Sequence, residues 1–290
     1  MRLTENRKKL IAMIADLRLA DLELLQAMLS RDREPGRHAF GPKGIERACE
    51  ALVREGCLHR LWKHRDPKFR IDRGSARQIF LLSSKGAGLI GYSPAAGRMA
   101  ERWYGYLKDP RREYVLEHEM MIARFHAACL KSGLELWQQG EGTQVNLHGM
   151  RFTPDAILKI GGRCYFLEAD TGNERIHSED AKRRTIARKV RKYGLADRDE
   201  VPQEQFGIPG FSVVFLAPRR TDPLRLSGRE RSILDAFEKF GQQHRHAKGF
   251  YLLLSETDVL DVLRRGGPLP VLARRATLNE PSAARPTSPS

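Results

Sequence analysis

The sequence predicts a mixed protein of α+β or α/β class in two parts, a helical N-terminal part closed by a basic hairpin and an α/β part around a central mixed sheet. Three observations predict it. Apolar residues recur at helical spacing up to Val53 and give way to two strand-like runs around a basic stretch. Periodicity then lapses between Tyr92 and Arg112, and beyond it the order is helix, three strands, helix, strand. A length of 290 residues suits two domains better than one or three.

Residues 5–17 place Leu10, Ile11, Met13, Ile14 and Leu17 on one helical stripe, and residues 21–29 repeat it with Leu22, Leu24, Leu25, Met28 and Leu29. After a polar segment from Arg31 to Gly41, Pro42 can open a third helix that ends at Gly56. Its Ile45, Ala48, Cys49, Leu52 and Val53 face a core, and Lys43, Arg47, Glu50 and Arg54 lie opposite. Strand-like Leu58–Trp62 and Gln78–Leu82 flank a basic stretch from Lys63 to Arg77. Three helices and a long basic hairpin make a winged helix-turn-helix, assigned to residues 1–92. In that architecture the third helix enters the major groove of double-stranded DNA and the hairpin follows the phosphates. The candidate contacts are Lys43, Arg47 and Arg54 on the helix and Arg60, Lys63, Arg65, Lys68 and Arg70 in the hairpin, with His64, Arg73 and Arg77 beside them. The alternative is a protein-docking module with a solvated wing.

Residues 93–112 read as a linker. A helix over 113–132 carries Val115, Leu116, Met120 and Phe125, with His118 near its start. Strands follow at Leu134–Gln138 and on both sides of Gly161-Gly162, then a helix from about Arg175 to Tyr193, a strand at Gly210–Ala217, a helix at Gly228–Phe240 and a strand at Gly249–Ser255. This second domain is assigned to 113–276. The Pro/Ser/Ala-rich tail, 277–290, reads as disordered.

The formal net charge of +15 and a pI near 10.0 point to a polyanionic partner, nucleic acid first. No apolar run is long enough to span a membrane, and the N-terminus lacks a secretory pattern, so a cytoplasmic protein is expected. Cys49, Cys57, Cys129 and Cys164 lack metal-ligand spacing and read as buried thiols of a reducing compartment.

Against this basic background, acids frame the Gly161-Gly162 turn. A two-residue loop there pairs residues whose numbers sum to 323, setting Asp155 opposite Glu168. Asp155, Ile157 and Lys159 then share a face with Cys164, Phe166, Glu168 and Asp170. Opposed like charges repel, so something must compensate. The options are Mg²⁺ on Asp155 and Glu168, an Arg or Lys from a neighbouring element such as the following helix, or a shared proton. That helix is basic, with seven Lys or Arg in Lys182–Lys192. Lys189 lies one turn before Tyr193 and could lean toward the sheet. Arg219 and Arg220, after the next strand, are further phosphate candidates.

Pro154-Asp155 followed by Glu168-Ala169-Asp170 and a basic helix, in this element order, resembles the PD-(D/E)xK nuclease core. The resemblance implies Asp155 and Glu168 as metal ligands and puts Asp170 where that family has its lysine. Some relatives supply the lysine from the following helix, where Lys182, Lys189 and Lys192 stand. Nearly the whole chain resembles the replication-relaxation family of plasmid and mobile-element proteins. That likeness rests on Phe80-Leu-Leu-Ser-Ser-Lys-Gly86, the helix with His118, Pro154-Asp155-Ala156, Glu168–Glu174, and Lys189 with Tyr193. It implies DNA work without naming a reaction, and the expectation is a DNA-binding protein acting in plasmid replication, DNA relaxation or their control. With the nuclease-core resemblance, Asp155, Glu168, Asp170 and Lys189 are the candidate catalytic residues. Two alternatives stay open: a Mg²⁺-dependent endonuclease that nicks DNA, and a transcriptional regulator with a non-catalytic second domain. Other replication or mobilisation proteins are expected partners, and a homodimer on a palindromic site is expected by analogy with other helix-turn-helix proteins.

Overall fold

The computed structural model describes residues 3–29, 41–63, 77–134, 136–139, 143–147, 150–160, 163–178, 185–222, 224–241 and 250–269. The chain is mixed helix and sheet, and it divides into two compact units, Met1–Ala127 and Ala128–Ser290.

In the first unit, α1 (Glu5–Leu17) and α2 (Leu22–Leu29) are joined by a short strand β1 (Leu19–Asp21). The periodicity of two neighbouring helices had no room for that strand. Asp21 ends it by accepting the Leu24 N–H at 2.7 Å, which starts α2. Helix α3 (Pro42–Arg54) buries Ile45, Ala48, Cys49 and Leu52 and exposes Lys43, Arg47, Glu50 and Arg54. Gly56, at φ 71°, turns the chain into β2 (Leu58–Lys63). β2 pairs antiparallel with β3 (Arg77–Leu82), and β1 pairs on the other side, giving the order β1-β3-β2. Successive Ile79, Phe80 and Leu81 are all buried, so both faces of this sheet are covered.

Helix α4 (Ser84–Leu89) follows, capped by the Ser83 hydroxyl on the Gly86 N–H. The same hydroxyl donates to the Gly56 carbonyl at 2.7 Å, and the Lys85 ammonium donates to the Glu55 carbonyl at 2.7 Å. Ser83-Ser-Lys-Gly86 thus stitches the strand end to the end of α3. Residues 93–112, read as a linker, instead form α5 (Pro94–Leu107) and a 3₁₀ turn (Pro110–Arg112). Ser93 caps α5 by accepting from the Ala96 N–H, and Pro94 starts it. Helix α6 (Glu113–Lys131) comes next, and the division between the units falls inside it.

The second unit is built on a five-stranded mixed sheet, order β10-β9-β8-β7-β4. Its strands are β4 (Leu136–Gln139), β7 (Ala156–Ile160), β8 (Arg163–Ala169), β9 (Phe211–Ala217) and β10 (Tyr251–Ser255). β7 runs antiparallel to both of its neighbours, β4 and β8, and β8, β9 and β10 run parallel. Between β4 and β7 stands a small hairpin of β5 (Val145–Leu147) and β6 (Met150–Phe152), too short to register as alternation. The β7–β8 pairs, from Ala156↔Leu167 to Ile160↔Arg163, all sum to 323 as expected. Ile157, Cys164 and Phe166 join a core with Val190 and Tyr193 of α7 (Ile186–Arg198) and Ile233 and Ala236 of α9 (Gly228–Gly241). Between them lies α8 (Val201–Phe206), and α10 (Glu256–Arg265) closes the unit. The helix expected from Arg175 starts only at Ile186: Thr185 caps it, and Arg175 bridges Thr185 in parallel instead. His64, Arg65, Lys68, Arg70, Arg73, Gly161-Gly162, Lys182 and the tail 277–290 lie outside the described residues. Among the described residues, no helix is long and apolar enough to cross a membrane.

A Cβ at Gly86 would sit 2.1 Å from the Cys57 carbonyl oxygen, a backbone atom that cannot move alone. Gly86→Ala should therefore destabilise the first unit by about 1–3 kcal/mol. A thermal melt should show Tm several degrees lower, whereas Gly88→Ala, with open space around it, should leave Tm nearly unchanged.

Candidate functional site

The acids around the β7–β8 turn sit where strands end and helices begin. Asp155 immediately precedes β7; its N–H donates to the Leu167 carbonyl at 2.9 Å, and its carboxylate accepts the Ala169 N–H at 2.7 Å. Glu168, one residue from the end of β8, points to the face covered by α7 and is buried. Its Oε1 accepts from the Tyr193 hydroxyl at 2.5 Å, and its Oε2 lies 2.8 Å from the Lys189 ammonium. Lys189 also reaches the Glu174 carboxylate at 2.9 Å. The i, i+4 spacing of Lys189 and Tyr193 sets both on one side of α7, above the same carboxylate. Of the compensations open to the acid pair, a lysine from the following helix is therefore in place.

Burial raises the Glu168 pKa, and Asp155 raises it further, while Lys189 and Tyr193 pull it back. Burial also opposes the charge on Lys189, but Glu168, Glu174 and Asp155 outweigh it and its pKa lies above the ordinary 10.5. Tyr193 is held well above its usual value by burial and by Glu168. The phenol keeps its proton and donates it in the hydrogen bond to Glu168.

Asp170 occupies a different environment. Both its oxygens are taken by the Arg229 guanidinium of α9, at 2.6 and 2.8 Å, and Oδ1 also accepts the Gly172 N–H at 3.0 Å. Arg229 further donates to the Glu174 carbonyl, so one arginine pins the loop that presents Glu174 to Lys189. Arg229 and Glu174 were missed as site residues because nothing in the sequence links Asp170 to a guanidinium 59 positions away. Arg220, expected to reach phosphates, is committed to Glu230 at 2.8 Å and Asp258 at 3.2 Å. His118 is partly buried, 3.8 Å from Glu119 in the first unit. Lys43, Arg47 and Arg54 stand exposed on α3, and Arg60 is half-buried on β2. Lys63 is the last residue of β2, paired with Arg77 of β3.

Lys189→Met would leave the buried Glu168 carboxylate uncompensated and should cost about 3–5 kcal/mol. The loss should shrink in acid, where Glu168 takes up a proton. In the native protein the folded state holds the Lys189 proton more tightly than the unfolded state. Its stabilisation is complete below pH 10.5 and is lost as pH rises through the higher folded value. Urea unfolding at a series of pH values should show both trends, with a shallower alkaline decline in Lys189→Met.

No curated protein matches this chain. Among solved structures, the crystal structure of protein VC1899 from Vibrio cholerae is similar at 10% identity and a TM-score of 0.31. That match covers 91% of this chain, which spans only 56% of the other. The replication-relaxation family model matches residues 12–205, more than half of the sequence. The chain belongs to the replication-relaxation family.

Proposed function

We propose that this protein binds double-stranded DNA through its first unit and acts in the replication or relaxation of a plasmid or other mobile element, or in its control. The observation that carries the reading is the division of α3. Five apolar residues of that helix, Ile45, Ala48, Cys49, Ala51 and Leu52, are buried, while Lys43, Arg47 and Arg54 face outward beside the three-stranded sheet that bears Arg60. Three helices with a β1-β3-β2 sheet are the parts of a winged helix-turn-helix, in which this helix reads the major groove. A net charge of +15 supplies phosphate neutralisation, and family membership supplies the context. A cytoplasmic place, a homodimer on a palindromic site and other replication or mobilisation proteins as partners go with this reading.

A second reading concerns the second unit. The order α6, β4, β7, β8, α7, β9, with antiparallel strands followed by a parallel one, supports a PD-(D/E)xK-like domain. Lys189 beside Glu168 stands in for the lysine that Asp170 replaces. The carboxylates fit Mg²⁺ in donor type, being hard oxygen ligands on neighbouring strand ends. Among the described residues no group of three or more His, Cys, Asp or Glu is arranged for a metal, so water and phosphate would complete the shell. Asp155 and Glu168 would hold the ion, which when bound would stabilise charge on a phosphate and lower the pKa of a water. Tyr193 orients Glu168, the Ala169 N–H orients Asp155, and Lys189 favours the ionised form of Glu168 against burial.

DNA affinity should fall steeply with salt, and Arg47→Ala with Arg54→Ala should flatten the log–log slope by about one for each phosphate no longer neutralised. Binding that ignores salt and both substitutions would sink the first reading. Supercoiled plasmid with Mg²⁺ or Mn²⁺, beside Asp155→Ala and Glu168→Ala, tests the second. Nicking that disappears in both variants makes the second unit a nuclease. Intact DNA with binding retained makes it a regulatory or accessory platform.

A further inference from the structure

Helix α5, read from sequence as a linker, carries two exposed large apolar side chains, Met99 and Tyr106, in a stretch that holds most of those in the first unit. Of the eight large apolar side chains exposed among the described residues, five (Leu89, Tyr92, Met99, Tyr106 and Tyr114) fall between positions 89 and 114. Met99 is 67%, Tyr114 58% and Tyr106 37% exposed. Scattered exposed apolar residues need no explanation, but a cluster does.

The cluster is basic as well as aromatic. Arg98, Arg102 and Tyr106 follow at i, i+4 and i+8, one line along the helix with about 5–6 Å per step, and Met99 lies beside them. Arg98 and Arg102 are exposed and, among the described residues, neither pairs with an acid. The nearby acids face elsewhere: Glu101 binds His59 at 2.8 Å and the Ser84 N–H at 2.8 Å, and Asp109 is held by Arg111. Underneath, the aromatic rings are already ordered. His59 stacks on Tyr104 at 4.0 Å, Trp103 stacks on Tyr106 at 5.4 Å, and the guanidiniums of Arg18 and Arg112 lie over Trp103 and Tyr106 at 5.0 and 3.6 Å.

Duplex DNA hides its base faces, so a duplex could use the arginines of this face but not Met99 or Tyr106. Single strands offer phosphates and open π-faces together, and such a strand is bound by cations along the backbone and aromatic rings under the bases. We propose that the Arg98–Arg102–Tyr106 face of α5, with Met99, is a binding site for single-stranded DNA, separate from the duplex-reading face of α3. A base stacking on Tyr106 takes the place of the Arg112 guanidinium, which then meets a phosphate. The site rests on the nucleic-acid reading above only for the class of its ligand.

The test is binding of the full chain to a fluorescein-labelled oligo-dT and, separately, to a mixed-sequence duplex, by anisotropy. Tyr106→Ala and the double variant Arg98→Ala/Arg102→Ala should each weaken oligo-dT binding about tenfold or more and leave duplex affinity within about twofold. Tyr106→Phe should bind as the native protein does. Arg47→Ala should show the reverse pattern, losing duplex and keeping oligo-dT. The two arginines are exposed, so their substitution leaves the fold intact and keeps the test valid if Tyr106→Ala unfolds. Oligo-dT binding that is absent in the native protein, or unchanged in both α5 variants, overturns the site. Oligo-rU bound more tightly than oligo-dT overturns the assignment to DNA. Loss of duplex binding in the native protein alone removes the α3 reading and leaves this one standing.

Discussion

The second unit depends on one buried charge. Glu168 stands among Phe166, Tyr193 and Val190, where an uncompensated carboxylate would cost several kcal/mol. The helix that covers this face must therefore bring a cation and a donor to one spot, and α7 does so with Lys189 and Tyr193 at helical spacing. Rotating α7 by one residue would separate both groups from Glu168. The contacts of Lys189 and Tyr193 thus fix the rotation of the helix, a specificity that apolar packing alone supplies less sharply. Glu174 extends the constraint, because Lys189 bridges it to Glu168, and Arg229 fixes the loop between them through Asp170.

How much of this the sequence held depends on the range of the interaction. The β7–β8 register was legible because a two-residue turn and period-2 alternation are local, and the pairs from Ala156↔Leu167 onward obey it. Lys189 was legible for the same reason: its spacing from Tyr193 is a local fact. The partners of Asp170 and Arg220 were not, since their pairing joins residues many positions apart through the tertiary fold. Helix α5 was missed because its apolar residues do not form a core stripe: Met99 and Tyr106 face outward, and periodicity signals only what is buried. β1 and the β5–β6 hairpin are three-residue strands, shorter than the window any alternation needs.

In the first unit the corresponding constraint is backbone contact rather than charge. The end of α3 and the start of α4 meet at Cys57 and Gly86, so closely that only glycine fits. Ser83 and Lys85 satisfy the Gly56 and Glu55 carbonyls just past the end of α3, which a helix terminus otherwise leaves open. A short Ser-Ser-Lys-Gly motif that looks like a loop signature is in physical terms a joint between the outward-facing helix and the sheet behind it. It ties β3 to α3, the helix whose Lys43, Arg47 and Arg54 are exposed.

The charged groups of the second unit also share a location. Glu168 and Asp170 stand at the C-terminal end of β8, Arg220 just beyond β9, and Ser255 with Asp258 just beyond β10. These three strands are parallel, and the edge beyond their carboxyl ends is where open α/β sheets place ligand sites, because helix starts and strand ends leave polar backbone there. Most of that edge is internally neutralised: Arg220 by Glu230 and Asp258, Asp170 by Arg229. At the Glu168 cluster the balance differs, since Glu168, Glu174 and Asp155 all act on one ammonium. Formal acid exceeds formal base most there among these groups, three carboxylates to one ammonium against two to one at Arg220, and an excess of carboxylate in an otherwise basic chain is the feature that a cation would answer.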